Sequence, residues 1–315
     1  MKVLMAALLA AVVSVSAERE AEDVGPALRA ALPEVAQRAS EALPMSAPAR
    51  ALAAPTRGVE LADKLRIQRG RKIIFVPQVC RNGEGRYDLV VHFHGAPDAV
   101  EPQVPKLGFP AVFVLVNLGV GSGPYEDMFA HDGSLGRFLD EIDEVMNKEC
   151  PSADGKRGRV ALSAWSAGYG AAYRVLANPR DRELVDAVLL ADGLHAGFKD
   201  KFRSQMNELQ MAPFDGFAER AARGEKLFAI THTSIVTPSY ASTTETSNYL
   251  IAKRGVAAEK VDEAGPRATM RLLSRADRGG FHVRGYSGND TTAHCDHLYA
   301  WSDTLVPLLR ERWKD

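Results

Sequence analysis

From residue 72 onward, short apolar runs alternate with amphipathic and polar stretches. Lys72-Ile-Ile-Phe-Val-Pro77, Tyr87-Asp-Leu-Val-Val-His-Phe93 and Ala111-Val-Phe-Val-Leu-Val-Asn117 are rich in β-branched and aromatic residues and predict three strands. The third is nearly unbroken in apolar side chains, as a strand covered on both faces requires. Leu135, Leu139, Ile142 and Met146 recur at helical spacing, with Asp140, Glu141, Asp143 and Glu144 between them. That spacing predicts a helix whose acidic residues form a solvated face rather than a metal site. Further strands are expected at 159–163, 184–191, 226–231, 270–274 and 281–286, and helices at 167–176 and 296–311. Residues 198–224 read as a mobile insertion. Strands alternating with helices at this spacing imply βαβ units and an α/β fold, with a mostly parallel central sheet and helices on both faces. In such sheets the reactive groups sit in loops at the carboxyl ends of the strands.

The ends and the charge narrow the setting. Lys2 followed by the apolar run from Val3 to Val13 and the small residues Val15-Ser16-Ala17 reads as a signal peptide over 1–17. The run is too short to span a bilayer, which takes about 20 residues. A secreted or periplasmic protein is expected, with no membrane span after cleavage. Residues 18–66, rich in Ala, Glu, Arg and Pro, read as a linker or loosely ordered segment, and 67–315 as the folded domain. Lys and Arg total 39 against 40 Asp and Glu, so the charge offers nothing to nucleic acid or an anionic membrane surface. Three cysteines are too few for a disulfide framework. Cys80 and Cys150, both in polar turn-like stretches, are the preferred pair, which leaves Cys295 as a free thiol.

The densest chemistry lies at Val160-Ala-Leu-Ser-Ala-Trp-Ser-Ala-Gly-Tyr-Gly170. An apolar strand runs straight into Ala164-Trp165-Ser166-Ala167-Gly168, followed by more small residues. A nucleophile held between a strand and a helix needs a sharp turn, with small residues two positions to either side. This segment resembles the nucleophile elbow of the α/β-hydrolase superfamily, usually Gly-x-Ser-x-Gly, with Ala164 standing at the first Gly position. His92-Phe93-His94-Gly95-Ala96 follows an upstream strand where that superfamily carries its oxyanion loop. The resemblance therefore implies an α/β-hydrolase fold with Ser166 as nucleophile. It also implies an oxyanion site formed near Gly95, Ala96 and Ala167, with His94 shaping the loop.

A serine nucleophile needs a base and an orienting carboxylate. In the superfamily both follow the nucleophile, the acid first. Thr292-Ala-His-Cys-Asp-His297 supplies His294 and His297, and His294 is preferred because it reads as loop while His297 reads as the start of a helix. Asp192, directly after an apolar strand, is preferred as the acid over Glu245, Asp262 and Asp290. His195 and His232 would line the same edge of the sheet, where they could contact substrate but by default satisfy loop carbonyls.

These residues point to an exported serine hydrolase with no cofactor or metal. Its substrate would be a small-molecule or polymer ester, with an amide left open. Two other readings stay open. One is a metal-dependent hydrolase using His92, His94, His294 and His297; the other is a non-catalytic binding protein on a hydrolase scaffold.

Overall fold

A computed structural model of the chain describes residues 65–150, 156–203 and 205–314. The signal peptide expected at 1–17 and nearly all of the segment expected at 18–66 lie outside the described residues. Ten strands form one sheet: β1 (Leu65–Arg69), β2 (Lys72–Val76), β3 (Tyr87–Phe93), β4 (Ala111–Val116), β5 (Arg157–Trp165), β6 (Ala187–Ala191), β7 (Leu227–His232), β8 (Glu259–Ala264), β9 (Arg271–Arg278) and β10 (Phe281–Tyr286). Their order is β1-β2-β4-β3-β5-β6-β7-β10-β9-β8. The six inner strands from β4 to β10 are parallel, and antiparallel strands close both edges.

The parallel middle follows from burial. All side chains of β3, β4, β6 and β7 are buried, and alternate residues feed two cores. Leu89, Val91 and Phe93 join one core with Tyr125, Leu135, Val175 and Phe214. Val90, Phe113, Leu115 and Leu189 join the other with Val100, Leu298, Trp301 and Leu309. Parallel strands need both faces covered because their crossovers lay helices on each side. The covering helices are α1 (Pro97–Val100), α2 (Gly123–Met128), α3 (Ser134–Glu149), α4 (Tyr169–Ala177), α5 (Glu208–Ala222), α6 (Thr243–Lys253), α7 (Thr291–Tyr299) and α8 (Val306–Arg312). Among the described residues no helix is long and apolar enough to cross a membrane.

Four elements differ from the sequence reading. The expected insertion contains α5, whose Met211, Phe214, Phe217, Ala218 and Ala221 are buried, so most of it is core-forming helix. The expected closing helix is broken into α7, a short turn at Trp301–Thr304 and α8. The sheet also gains β1 and β8, charged strands with no apolar run to mark them. Arg271 pairs with Asp262, and Arg275 with Glu259 and Glu263, which guards that edge with charge. Cys80 and Cys150 are joined by a disulfide, and Cys295 is free.

Candidate active site

The chemistry-bearing residues collect at the carboxyl ends of the inner strands. Phe93 of β3 pairs with Val116 of β4 and Ala164 of β5, and Trp165 of β5 pairs with Ala191 of β6, so these strand ends form one continuous row. Ser166 leaves β5 and opens a tight turn, Ser166–Gly168, that leads into α4. Its φ is 49°, in the left-handed region that a side chain with a Cβ occupies only at a cost of about 1–2 kcal/mol. The turn is cramped by close approach. A Cβ on Gly168 would lie 2.2 Å from the carbonyl oxygen of Phe93, and one on Gly193 would lie 2.5 Å from the backbone nitrogen of Ser166. Ala164, at the position where the resembling motif has its first glycine, is fully buried in the core.

Four non-glycine residues have positive φ among the described residues, and three of them (His94, Ser166 and Asp192) stand on this edge. Strain of this kind persists only where the surroundings impose it, and it concentrates at working sites.

The side chains of Ser166, His294 and Asp192 form one hydrogen-bonded chain. His294 Nε2 is 2.9 Å from Ser166 Oγ, and His294 Nδ1 is 2.7 Å from Asp192 Oδ2. The Thr233 backbone N–H donates to Asp192 Oδ1 at 2.9 Å, and the Thr233 hydroxyl donates to both carboxylate oxygens at 3.0 and 3.1 Å. Burial alone would raise the pKa of Asp192. The hydrogen bond and charge of His294 outweigh it and hold the group well below the usual carboxylate range. An ionised, immobile carboxylate in that place holds the proton of the imidazole on Nδ1 and leaves Nε2 to accept one from the serine.

Trp165 fixes the imidazole from the side. Its indole lies 4.8 Å from the His294 ring and is stacked at 5.0 Å on the His94 ring, and its Nε1–H donates to the His294 carbonyl at 3.0 Å. The His94 Nδ1 is 2.9 Å from the Tyr125 hydroxyl. Burial, aided by the neighbouring His294, lowers His94 to about 4, so it is neutral at physiological pH. It stands directly after β3 with φ 70°. Gly95 has φ 124°, and a Cβ there would meet Val100 Cγ2 at 2.9 Å, so the loop before α1 depends on glycine at that position. Gly95 and Ala96 follow β3, and Ala167 follows Ser166, which places these residues on the same edge.

His294 is not in a loop. It lies in the first turn of α7, which Asp290 caps by accepting from the Ala293 N–H. His297, one turn on, is buried with Nδ1 2.8 Å from the Thr231 hydroxyl, and burial lowers it to about 4. Helical periodicity puts both rings on one face and sends each to a different strand end. The carboxylates passed over are occupied elsewhere. Glu245 completes the capping box of α6 and pairs with Arg203, Asp262 pairs with Arg271, and Asp290 is the cap of α7.

The four histidines of the metal reading are dispersed. His92 Nδ1 sits on Ser163 Oγ, His94 on Tyr125, His294 on Asp192 and Ser166, and His297 on Thr231. No group of three or more His, Cys, Asp or Glu gathers as a donor set among the described residues. His195 and His232 approach the carbonyls of Ala241 and Thr233. Burial raises the Cys295 thiol, which makes it a poor nucleophile. The residues that sequence reasoning missed are Trp165 and Thr233. Asp192 stands after β6 and Thr233 after β7, so the carboxylate and the group that holds it come from adjacent strand ends.

Comparisons with known proteins give distant likenesses only. No family model matches the chain, and no curated protein matches it. Among solved structures, it is similar to a cold-adapted esterase from an Arctic intertidal metagenomic library at 11% identity and TM-score 0.39, covering 80% of this chain and 93% of that one. It is also similar to the AtxE2 isopeptidase at 11% identity and TM-score 0.40, where 79% of this chain matches 39% of the isopeptidase.

Proposed function

We propose that this protein is an exported serine hydrolase of the α/β-hydrolase type that cleaves a carboxylic ester through a covalent acyl-enzyme. The observation that carries the reading is the unbroken chain from Ser166 Oγ through the His294 imidazole to Asp192, at 2.9 and 2.7 Å. Its support in the fold is the order of these residues along the chain and the strand–turn–helix setting of Ser166.

In this reading His294 Nε2 takes the proton of Ser166 as Oγ attacks the acyl carbon. Asp192, held by Thr233, stabilises the imidazolium that results. The tetrahedral oxyanion accepts hydrogen bonds from the backbone N–H of Ala167 and from the loop at Gly95 and Ala96, each donor contributing about 3 kcal/mol. His294 then protonates the leaving oxygen, and the alcohol departs. Water, deprotonated by the same imidazole, attacks the acyl-serine and releases the acid, returning the proton to Ser166. The Cys80–Cys150 bridge supports export, since disulfides persist in oxidising compartments.

Turnover of a neutral activated ester, such as 4-nitrophenyl butyrate, tests the reaction class. The wild-type protein hydrolyses it, and Ser166→Ala lowers kcat by about 10⁵- to 10⁶-fold. Equal rates for the two proteins would refute the role of Ser166.

A further inference from the structure

A concavity opens on the same edge of the sheet, beside the loop that follows β3. Its volume is about 300 Å³, and Arg66, Gln68, Arg71, Ile73, Pro97, Leu115 and Asn117 line it. The sheet register explains why it lies here. β2 runs antiparallel to β4 with Lys72 opposite Val116, so the turn joining β1 to β2 projects from the carboxyl end of the parallel strands. Val116 pairs with Phe93, and Phe93 with Ala164, two residues before Ser166. Three interstrand steps separate Lys72 from Ala164, a distance of about 14 Å. Pro97 adjoins Ala96 in the loop assigned to the oxyanion.

The lining is cationic. Arg71 Nη1 makes one long contact, 3.4 Å to the Leu118 carbonyl, and among the described residues its guanidinium pairs with no carboxylate. Arg66 forks onto Glu101 at 2.9–3.3 Å, so one acid offsets one of the two guanidiniums. The charge of Arg71 reaches Tyr125, whose hydroxyl sits between Asn117 and His94. An uncompensated guanidinium therefore stands beside the network that supports the oxyanion loop.

We propose that this concavity is a substrate subsite for a compact anionic group, a carboxylate or phosphate, anchored by Arg71 and assisted by Arg66. The inference rests on the hydrolase reading above and specifies its substrate as an ester that also carries a negative charge remote from the scissile bond. Arginine suits the task because its planar fork matches both anions and it never loses its charge.

Two measurements test this. The first compares kcat/KM for 4-nitrophenyl hemiesters of dicarboxylic acids of increasing length with that for uncharged esters of equal length. Wild type favours the charged member at one chain length by about tenfold or more, as a charge-assisted hydrogen bond implies. The ratio collapses in Arg71→Gln and is partly retained in Arg71→Lys. The second measures adipate and inorganic phosphate binding to Ser166→Ala by calorimetry, with and without Arg71→Gln. Binding that disappears with Arg71 supports the subsite even if no ester is hydrolysed, in which case the hydrolase reading alone fails. Hydrolysis without preference for charge, an equal loss on both esters in Arg71→Gln, or anion binding that ignores Arg71 would overturn the subsite and leave the hydrolase reading standing.

Discussion

Each member of the Ser166–His294–Asp192 chain is held by a different kind of force, and their substitutions should separate accordingly. Asp192→Asn keeps the shape but lets the wrong imidazole tautomer form, and should lower kcat by about 10⁴-fold. Thr233→Val removes one donor to the carboxylate and keeps the backbone N–H. A loss in kcat of about tenfold is expected, the effect of one hydrogen bond to a charged group. A loss from Thr233→Val as large as that from Asp192→Asn would contradict this division. At this scale the sequence singles out Ser166, Asp192 and His294, which the structure brings into one hydrogen-bonded chain, but the reason for choosing His294 does not hold. The sequence around it reads as loop, whereas His294 occupies the first turn of α7. The signal was present in Asp290-Thr-Thr, a helix cap three residues before Ala293. Trp165 was invisible for a different reason. The residue before Ser166 is unconstrained by the motif, and only the fold shows it packed between two imidazoles.

Among elements, the turn between β5 and α4 depends on small residues for contact rather than flexibility. Gly168→Ala would drive a methyl into the Phe93 carbonyl and should destabilise the protein by about 1–3 kcal/mol, with loss of activity. Gly136 lies inside α3 with nothing within 4 Å of its missing Cβ, so Gly136→Ala should stabilise by about 0.5–1 kcal/mol. Urea melts of the two variants check both signs. If both variants melt alike, steric crowding at the elbow is not what selects glycine. The inner strands were readable because burial on both faces writes continuous apolar runs into β3 and β4. α5 was not, since Pro213 and Gly216 interrupt its apolar spacing even though Met211, Phe214, Phe217 and Ala221 pack inward. β1 and β8 escaped because edge strands carry charge on exposed positions.

Over the whole molecule, buried imidazoles set the response to acid. Burial holds His92 at about 3 and His94, His195 and His297 at about 4, all below the ordinary 6.5. The unfolded chain takes up these protons as pH falls through 6.5, while the folded one refuses them until near 4. Unfolding is therefore favoured as pH falls across that window, and stability is full only above it. The depressed Asp192 contributes separately. Its stabilisation is complete above the unfolded value of about 3.9 and is lost in stronger acid. The urea midpoint should thus be lower at pH 5 than at pH 7, and an unchanged midpoint would contradict the buried, neutral histidines. The Cys80–Cys150 bridge closes a separation of 70 residues, and removing it as Cys80→Ala/Cys150→Ala should cost about 4 kcal/mol by loop entropy. The measurement that reaches the central claim most directly is labelling with a fluorophosphonate, followed by mass spectrometry of the modified peptide. Attachment is expected at Ser166 alone, lost in His294→Ala and kept in a folded His297→Gln protein. Attachment at another residue, or labelling that survives loss of His294 but not of His297, would contradict the account.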